Sequence, residues 1–386
     1  MTAALSSFAV IFLAPHVLDP NLVSQFQALW GFFFALTGLI DGLQHETTRA
    51  TTRPSQSHSF PHRFTAILAA VIAGVSLLAA PAWLPALVPD SPHHTALALA
   101  FAASVALYVG QSVLLGTLSG HRLWNYYAAI TAIDATIRVV AAVAILLLIR
   151  DQSTALWAFL LLTIMGPITW LPFLFFRKAR GSLLSTIDVP PAVFLRRLLL
   201  SLVASGATAG LVNGFSAATK AWGTAGTVPM AAIIMAVLLS RAPIIIPAQR
   251  FQAALINYLA RHKGTSILRA PVILTLGILL LMGAGALVGP WFLTTMWGPA
   301  YYVRPAIIAA LVLGAVIQGA LFITGSRAIA HAHHWRYCAG WVAATTLSFL
   351  IIALPLPTEV TVPTALIMGP LLGIIIHLFP ATAAGK

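Results

Sequence analysis

The stretch WNYYAAITAIDATIRVVAAVAILLLI, Trp124 to Ile149, decides how the chain is read. It exceeds the ~20 largely apolar residues that a helix needs to cross a bilayer. Its backbone would find no water in hydrocarbon, so its N–H and C=O groups must pair within the segment, as only a helix allows. Its two charges, Asp134 and Arg138, stand four residues apart and share one helical face. Ala66 to Ala80, Ala155 to Phe176, Ala231 to Ile246, Pro271 to Val288 and Ala306 to Ile323 are similar runs.

Working outward, the 386 residues are 60% hydrophobic and 8% charged, too few polar side chains to cover a water-facing surface. An all-α integral membrane protein follows. Its spans are expected near 2–18, 24–42, 64–88, 95–118, 124–149, 154–176, 194–217, 226–248, 270–295, 304–326, 335–355 and 361–380. The first is interrupted by Pro15 and His16 and lacks the preceding basic residues of a secretory signal.

The 21 Lys and Arg residues fix an expected orientation. With a cytoplasmic N-terminus, sixteen of them, from Arg49 through the cluster Arg177, Lys178, Arg180, Arg196 and Arg197 to Lys386, fall in or beside inside gaps. Only Arg150, Lys220 and Arg304 lie outside, and Arg138 and Arg241 fall within spans. Both termini are therefore expected in the cytoplasm of a multi-pass inner-membrane protein. The net charge of +13 is strung along one membrane face, which suits anionic lipid headgroups rather than nucleic acid.

The chemistry available is narrow. Eight carboxylates, no Asp-x-Asp and no phosphate-binding loop argue against an enzyme or an ATP-driven engine. The single cysteine, Cys338, forms no intramolecular disulfide, and no metal or cofactor is expected; His331, His333 and His334 read as a solvated loop.

Two short matches recur at nearly one offset. Trp124-Asn125-Tyr126-Tyr127-Ala128 pairs with Trp335-Arg336-Tyr337-Cys338-Ala339, and Pro81-Ala82-Trp83-Leu84 with Pro290-Trp291-Phe292-Leu293. They divide the chain into an N-terminal six-helix lobe (1–176), a basic cytoplasmic linker (177–193) and a C-terminal six-helix lobe (194–386). Aromatic residues also collect at membrane interfaces without any repeat. Transporters are commonly built from such repeats, with the substrate site between them.

Ionisable groups at membrane depth are costly and mark candidate sites. Asp134 and Arg138 read either as a structural ion pair or as a switch that opens when Asp134 takes a proton or cation. Arg241, with no acid within four residues on its own helix and with Pro243 nearby, suits phosphate recognition, or else a structural pairing with a neighbouring helix. Gly206, Gly210 and Gly214, at strict four-residue spacing beside Asn213, provide a close-packing face or a bending point. Gln111 and Gln318 line a cavity or bond between helices. Arg250 to Arg261 reads as an amphipathic helix along the inner surface.

Gly42-Leu43-Gln44-His45-Glu46-Thr47-Thr48-Arg49, Ser240-Arg241-Ala242-Pro243, and Gly289-Pro290-Trp291 through Trp297-Gly298-Pro299-Ala300-Tyr301, set in six-plus-six spans, resemble the polysaccharide-exporter branch of the multidrug/oligosaccharidyl-lipid/polysaccharide (MOP) superfamily. The resemblance implies two six-helix lobes that alternate between inward and outward openings. It implies a lipid-linked, polyprenyl diphosphate oligosaccharide as substrate and a cationic cavity for the diphosphate. On that basis Arg241, Arg49 and Asn213 are substrate-binding candidates. Asp134, Arg138 and Asp41 are coupling or gating candidates, and Gly206, Gly210, Gly214 and Pro243 serve packing or hinging. Envelope glycosyltransferases or a polymerase are implied partners. A multidrug or cation exporter using Asp41 and Asp134, or a non-transporting scaffold in envelope polysaccharide synthesis, are the alternatives.

Overall fold

The computed structural model describes residues 2–52, 58–91, 93–184, 186–261, 271–331 and 333–379. They form two compact units, 1–221 and 222–386. The first holds α1 (Thr2–Leu13), α2 (Pro20–Thr52), α3 (His62–Leu78), α4 (Ala80–Leu87), α5 (His94–Gly120), α6 (Trp124–Leu148), α7 (Gln152–Ile164), α8 (Arg177–Ser182), α9 (Pro191–Val212) and α10 (Phe215–Trp222). The second holds α11 (Met230–Arg261), α12 (Pro271–Trp297), α13 (Pro305–Ala330), α14 (His334–Ile352) and α15 (Thr358–Leu378).

Among the described residues eight helices are long and apolar enough to cross a membrane, and ten spans result if two bent pairs each count as one. The protein is thus a multi-pass membrane protein. The bent pairs are α3 with α4, at 61°, and α7 with the 3-10 turns of 166–175, at 46°. Prolines account for both breaks: Pro81 starts α4, and Gly166-Pro167 ends α7, because proline offers no N–H to the turn before it. Of the other two predicted spans, α1 has 12 residues against the ~20 required, and α14 stands outside the set of eight.

Helix ends follow local chemistry. Pro191 and Pro305 occupy first turns, where a missing N–H costs nothing. Gly298, at φ +88°, closes α12 in a conformation that side chains with a Cβ disfavour. Asp151 caps α7 by accepting from the Thr154 N–H and hydroxyl, each at 2.7 Å.

Within lipid, helices gain no hydrophobic driving force from association, so close fit has to hold them together. α2 is the most enclosed span of the first unit. Its aromatic residues pack against α5 and α7, with Phe32 stacked on Phe101 at 5.3 Å and Phe26 against Phe159 at 5.2 Å. Against α9 it presents glycines. A Cβ on Gly42 would lie 2.7 Å from the Ser201 carbonyl and the Leu202 nitrogen, one on Gly38 would strike the Ala209 Cβ at 2.5 Å, and one on Gly206 would meet Leu39 at 2.9 Å. The seam is therefore reciprocal.

The stretch 177–193, read from sequence as a linker, lies inside the first unit, and α9 lies against α2. One sequence expectation changes. Arg250 to Arg261 is the continuation of α11 past Pro243 and Pro247 rather than a separate surface helix. The linker itself is stapled to α2: β1 (His58–Ser59) pairs antiparallel with β2 (Thr186–Ile187), and the Asp188 N–H donates to the Ala50 carbonyl.

Candidate functional site

In the first unit the site begins at a helix end. The final carbonyls of any α-helix lack intrahelical donors, and at α7 side chains supply them. The Arg138 guanidinium donates Nη1 to the Thr163 carbonyl at 2.9 Å and to the Leu162 carbonyl at 3.2 Å. The Ser104 hydroxyl takes the Ile164 carbonyl. Pro167 is the reason Thr163 is free, since its nitrogen would otherwise have been the donor four residues on.

Arg138 is also the buried half of an ion pair. Its Nε donates to Asp134 Oδ1 at 3.0 Å, and it is 5% exposed. Its guanidinium carbon sits 5.3 Å from the Phe34 ring centre and 5.7 Å from that of Trp30, so the α2 aromatic faces supply further attraction to the cation. Gly166 makes the arrangement possible, because a Cβ there would come within 2.5 Å of Asp134 Oδ1 and collide with the guanidinium. The i, i+4 pair read from sequence is thus the visible part of a three-helix knot.

Beside it lies a second polar group. Asp41 of α2 accepts from the Tyr108 hydroxyl of α5 at 2.7 Å, and Gln44 donates to Tyr127 at 3.3 Å. Tyr108 is an electrostatic neighbour of both Asp41 and Asp134, and His45 of Asp41. Buried nearby on α5, Gln111 Oε1 and the Ser112 hydroxyl have no hydrogen-bond partner among the described residues. Such groups in a folded interior are normally met by water or a ligand.

Arg49 stands in an ion-pair cluster at the end of α2. Its Nε and Nη2 contact Glu46 at 2.7 to 3.0 Å, and Nη1 and Nη2 contact Asp188 at 2.8 and 3.1 Å. Two carboxylates occupy the donors that a phosphate would use, and they tie the linker to α2. Asn213 caps α9 and donates to the Phe34 carbonyl at 3.3 Å, so it too stitches α9 to α2. A break at Asn213 and Gly214 separates α9 from α10. Gly206 and Gly214 lie in tight contact with Leu39 and Ala35.

The second unit contains Arg241, 5% exposed on α11, with Pro243 two residues on. α11, α12 and α13 border a partly open cavity of about 420 Å³ that Ser240 and Pro243 help to line. Gln318 of α13 is fully buried, and among the described residues neither of its amide atoms has a hydrogen-bond partner. Glu359, which opens α15, accepts from the Thr227 hydroxyl at 2.5 Å and the Val228 N–H at 2.6 Å, holding the approach to α11. Among the described residues no group of His, Cys, Asp and Glu is arranged to hold a metal.

No protein-family model matches the chain. It is 33% identical over 386 residues to the uncharacterized protein Rv3630 of Mycobacterium tuberculosis, covering 97% of this chain and 88% of that one. The uncharacterized protein Rv1510 of the same organism is 33% identical over 383 residues, covering 96% and 87%. The chain belongs to their family. The fold is that of MOP-superfamily transporters. A MOP superfamily transporter from Pyrococcus furiosus superposes with a TM-score of 0.60 over 97% of this chain and 91% of that one, at 14% identity. An outward-facing multidrug resistance MATE family transporter gives 0.59 over 98% and 91%, also at 14% identity.

The sequence pairs Asp134 with Arg138 but does not bring Tyr108 to Asp41 or Trp30 and Phe34 to Arg138. Trp30, Phe34 and Tyr108 read as ordinary span residues, and nothing in local periodicity sets them apart. One signal was available: a Gly-Pro pair inside an apolar run frees a carbonyl four residues before the proline, which calls for a donor from elsewhere.

Proposed function

We propose that the protein is an alternating-access transporter that flips a lipid-linked, polyprenyl diphosphate oligosaccharide, or a related envelope polysaccharide precursor, across the cytoplasmic membrane. The observation that carries this is Arg241, a cation buried within a membrane span on a proline-containing helix in a transporter fold. A guanidinium there recognises phosphate oxygens in a fork geometry. Flipping needs no covalent step, only a polar route for the headgroup while the tail remains in hydrocarbon, and the scarcity of carboxylates suits an anionic cargo. Asp134, Arg138 and Asp41 couple or gate the cycle. Both termini lie in the cytoplasm, and envelope glycosyltransferases or a polymerase act before and after it.

The test is transfer of a fluorescent polyprenyl-diphosphate sugar between leaflets of liposomes containing the purified protein. Transfer should fall in Arg241→Ala and persist in Arg241→Lys, which keeps the charge. Unchanged transfer in Arg241→Ala refutes the role. A second reading, export of organic cations, is favoured by Asp41 accepting from Tyr108, with Asp134 a further electrostatic neighbour of that hydroxyl. Under that reading Asp41→Asn abolishes ion-driven extrusion of a cationic dye while Arg241→Ala leaves it intact.

A further inference from the structure

Three span ends meet at one corner of the first unit, where cations gather without acids. The turn after α5 carries Arg122, and α8 carries Arg177, Lys178 and Arg180. Packing holds these pieces together. Ser182 of α8 shares a hydrogen bond with Thr117 of α5 at 3.1 Å, and Phe176, just before α8, has its ring 5.9 Å from that of Tyr126 in the first turn of α6. Ala179 and Phe173 are buried in one cluster with Leu114, Leu118 and Ile130. α8 therefore lies against the ends of α5 and α6 with Ala179 inward, while its three cations are exposed, as is Arg122.

Arg122 stands where the backbone resists a side chain. The Leu123 N–H donates to the Leu118 carbonyl at 2.8 Å and the Arg122 N–H to the Ser119 carbonyl at 3.0 Å. This pattern closes a helix with a left-handed residue, a position that glycine usually fills. Arg122 takes it at φ +59°, and among the described residues it alone combines a Cβ with a positive φ. Strain of this kind points to a use for the side chain.

None of the four cations has an ion pair or a side-chain hydrogen bond among the described residues. The eight carboxylates are engaged elsewhere: Glu46 and Asp188 hold Arg49, Asp134 holds Arg138, and the other five accept from neutral donors. The balancing anion must come from outside the chain. Its depth is set by the spans, since α5 ends at Gly120, α6 begins at Trp124 and the second bent pair ends at Phe175. Phe175 is 89% exposed, and Phe176 and Trp124 are about half exposed. Open aromatic surface beside cations suits the boundary of a bilayer, where rings meet acyl chains and cations meet phosphate. A soluble anion would leave the aromatic surface uncovered.

We infer that this collar seats the headgroup of an anionic phospholipid, with its phosphate among Arg122, Arg177, Lys178 and Arg180 and its acyl chains against Phe175 and Phe176. The site is independent of the transported cargo.

The experiment is fluorescence titration of the full-length protein in neutral detergent with phosphatidylglycerol labelled in an acyl chain, and with phosphatidylcholine bearing the same label. Phosphatidylglycerol should bind at least about tenfold more tightly. Each cation near an anionic headgroup contributes roughly fivefold. The triple variant Arg177→Gln, Lys178→Gln, Arg180→Gln should therefore lose the preference. The triple variant Arg150→Gln, Arg196→Gln, Arg197→Gln, which removes equal charge from exposed positions elsewhere, should keep it. Arg122→Gly should weaken phosphatidylglycerol binding about fivefold and yet raise Tm in lipid-free detergent, because it relieves the backbone; the opposed signs show that lost binding is not lost folding. Equal affinity for the two lipids, an equal loss in both triple variants, or undiminished binding in the collar variants overturns the site. Displacement by free glycerol 3-phosphate as effective as that by unlabelled phosphatidylglycerol overturns its assignment to a lipid.

Discussion

Replacing Arg138 with alanine should be among the most damaging single changes in the first unit. The substitution removes a cation that is 5% exposed and holds three oxygens: Asp134 Oδ1 at 3.0 Å, Thr163 O at 2.9 Å and Leu162 O at 3.2 Å. Hydrogen bonds from a charged donor contribute about 1.5–3 kcal/mol each in water-soluble proteins, while interhelical bonds in membranes average nearer ~0.6. The two carbonyl bonds therefore account for roughly 1–6 kcal/mol. Loss of contact with the Trp30 and Phe34 faces adds about 0.5–2 kcal/mol, and an Asp134 left without its counter-charge adds to both. About 3–5 kcal/mol in total is expected, the usual cost of breaking a buried pair from one side. Arg138→Lys should recover part of the loss, because an ammonium reaches Asp134 but cannot span both carbonyls at once. The assay is thermal unfolding of detergent-purified protein, with Thr136→Ala as the comparison. Thr136 is on the exposed face of the same helix and bonds only to the Ala132 carbonyl, so its removal should stay within about 0.5 kcal/mol. If Arg138→Ala unfolds no earlier than Thr136→Ala, the knot does not hold the broken span and the reasoning fails.

Two further outcomes are expected. Gly42→Ala should destabilise strongly, since its Cβ would meet backbone atoms of Ser201 and Leu202 at 2.7 Å, whereas Gly74→Ala, with nothing within 4 Å, should stabilise α3 by about 0.5–1 kcal/mol; opposite Tm shifts in the two variants check this. At Asp151, outside the spans, the bonds from Thr154 hold the carboxyl below its ordinary value. A depressed folded pKa contributes stability above the unfolded value of about 3.9 that is lost as pH falls through the lower folded value. Asp151→Ala should therefore speed amide exchange at Thr154 at neutral pH, and the difference should shrink as the pH falls through that lower folded value; an effect that does not change with pH would exclude the cap.

Much of the helical framework was legible because lipid imposes a simple rule on the backbone: long apolar runs become helices, and Pro191, Pro305 and Gly298 punctuate them by local chemistry alone. The pairing of Asp134 with Arg138 was legible for the same reason, as helical periodicity places them together. Arg49 shows the limit. Its charge was plain, but Asp188, 139 residues away, is brought to it by the tertiary path of the linker. Tyr108 likewise gains meaning only from Asp41 across two helices. The α2 and α9 seam escaped notice for a related reason: Gly206, Gly210 and Gly214 announce a close-packed face, yet no pattern on one helix names its partner.

That seam constrains how the protein can be rebuilt. Gly38 and Gly42 on one helix and Gly206 and Ala209 on the other are shaped to each other at backbone distance, so neither surface can be exchanged alone. A chimera with a 33% identical relative, spliced in the linker where the charge pattern suggests a natural joint, would unite two halves of different moulds. Moving α2 and α9 together, though well over a hundred residues of chain lie between them, is the exchange that the packing permits.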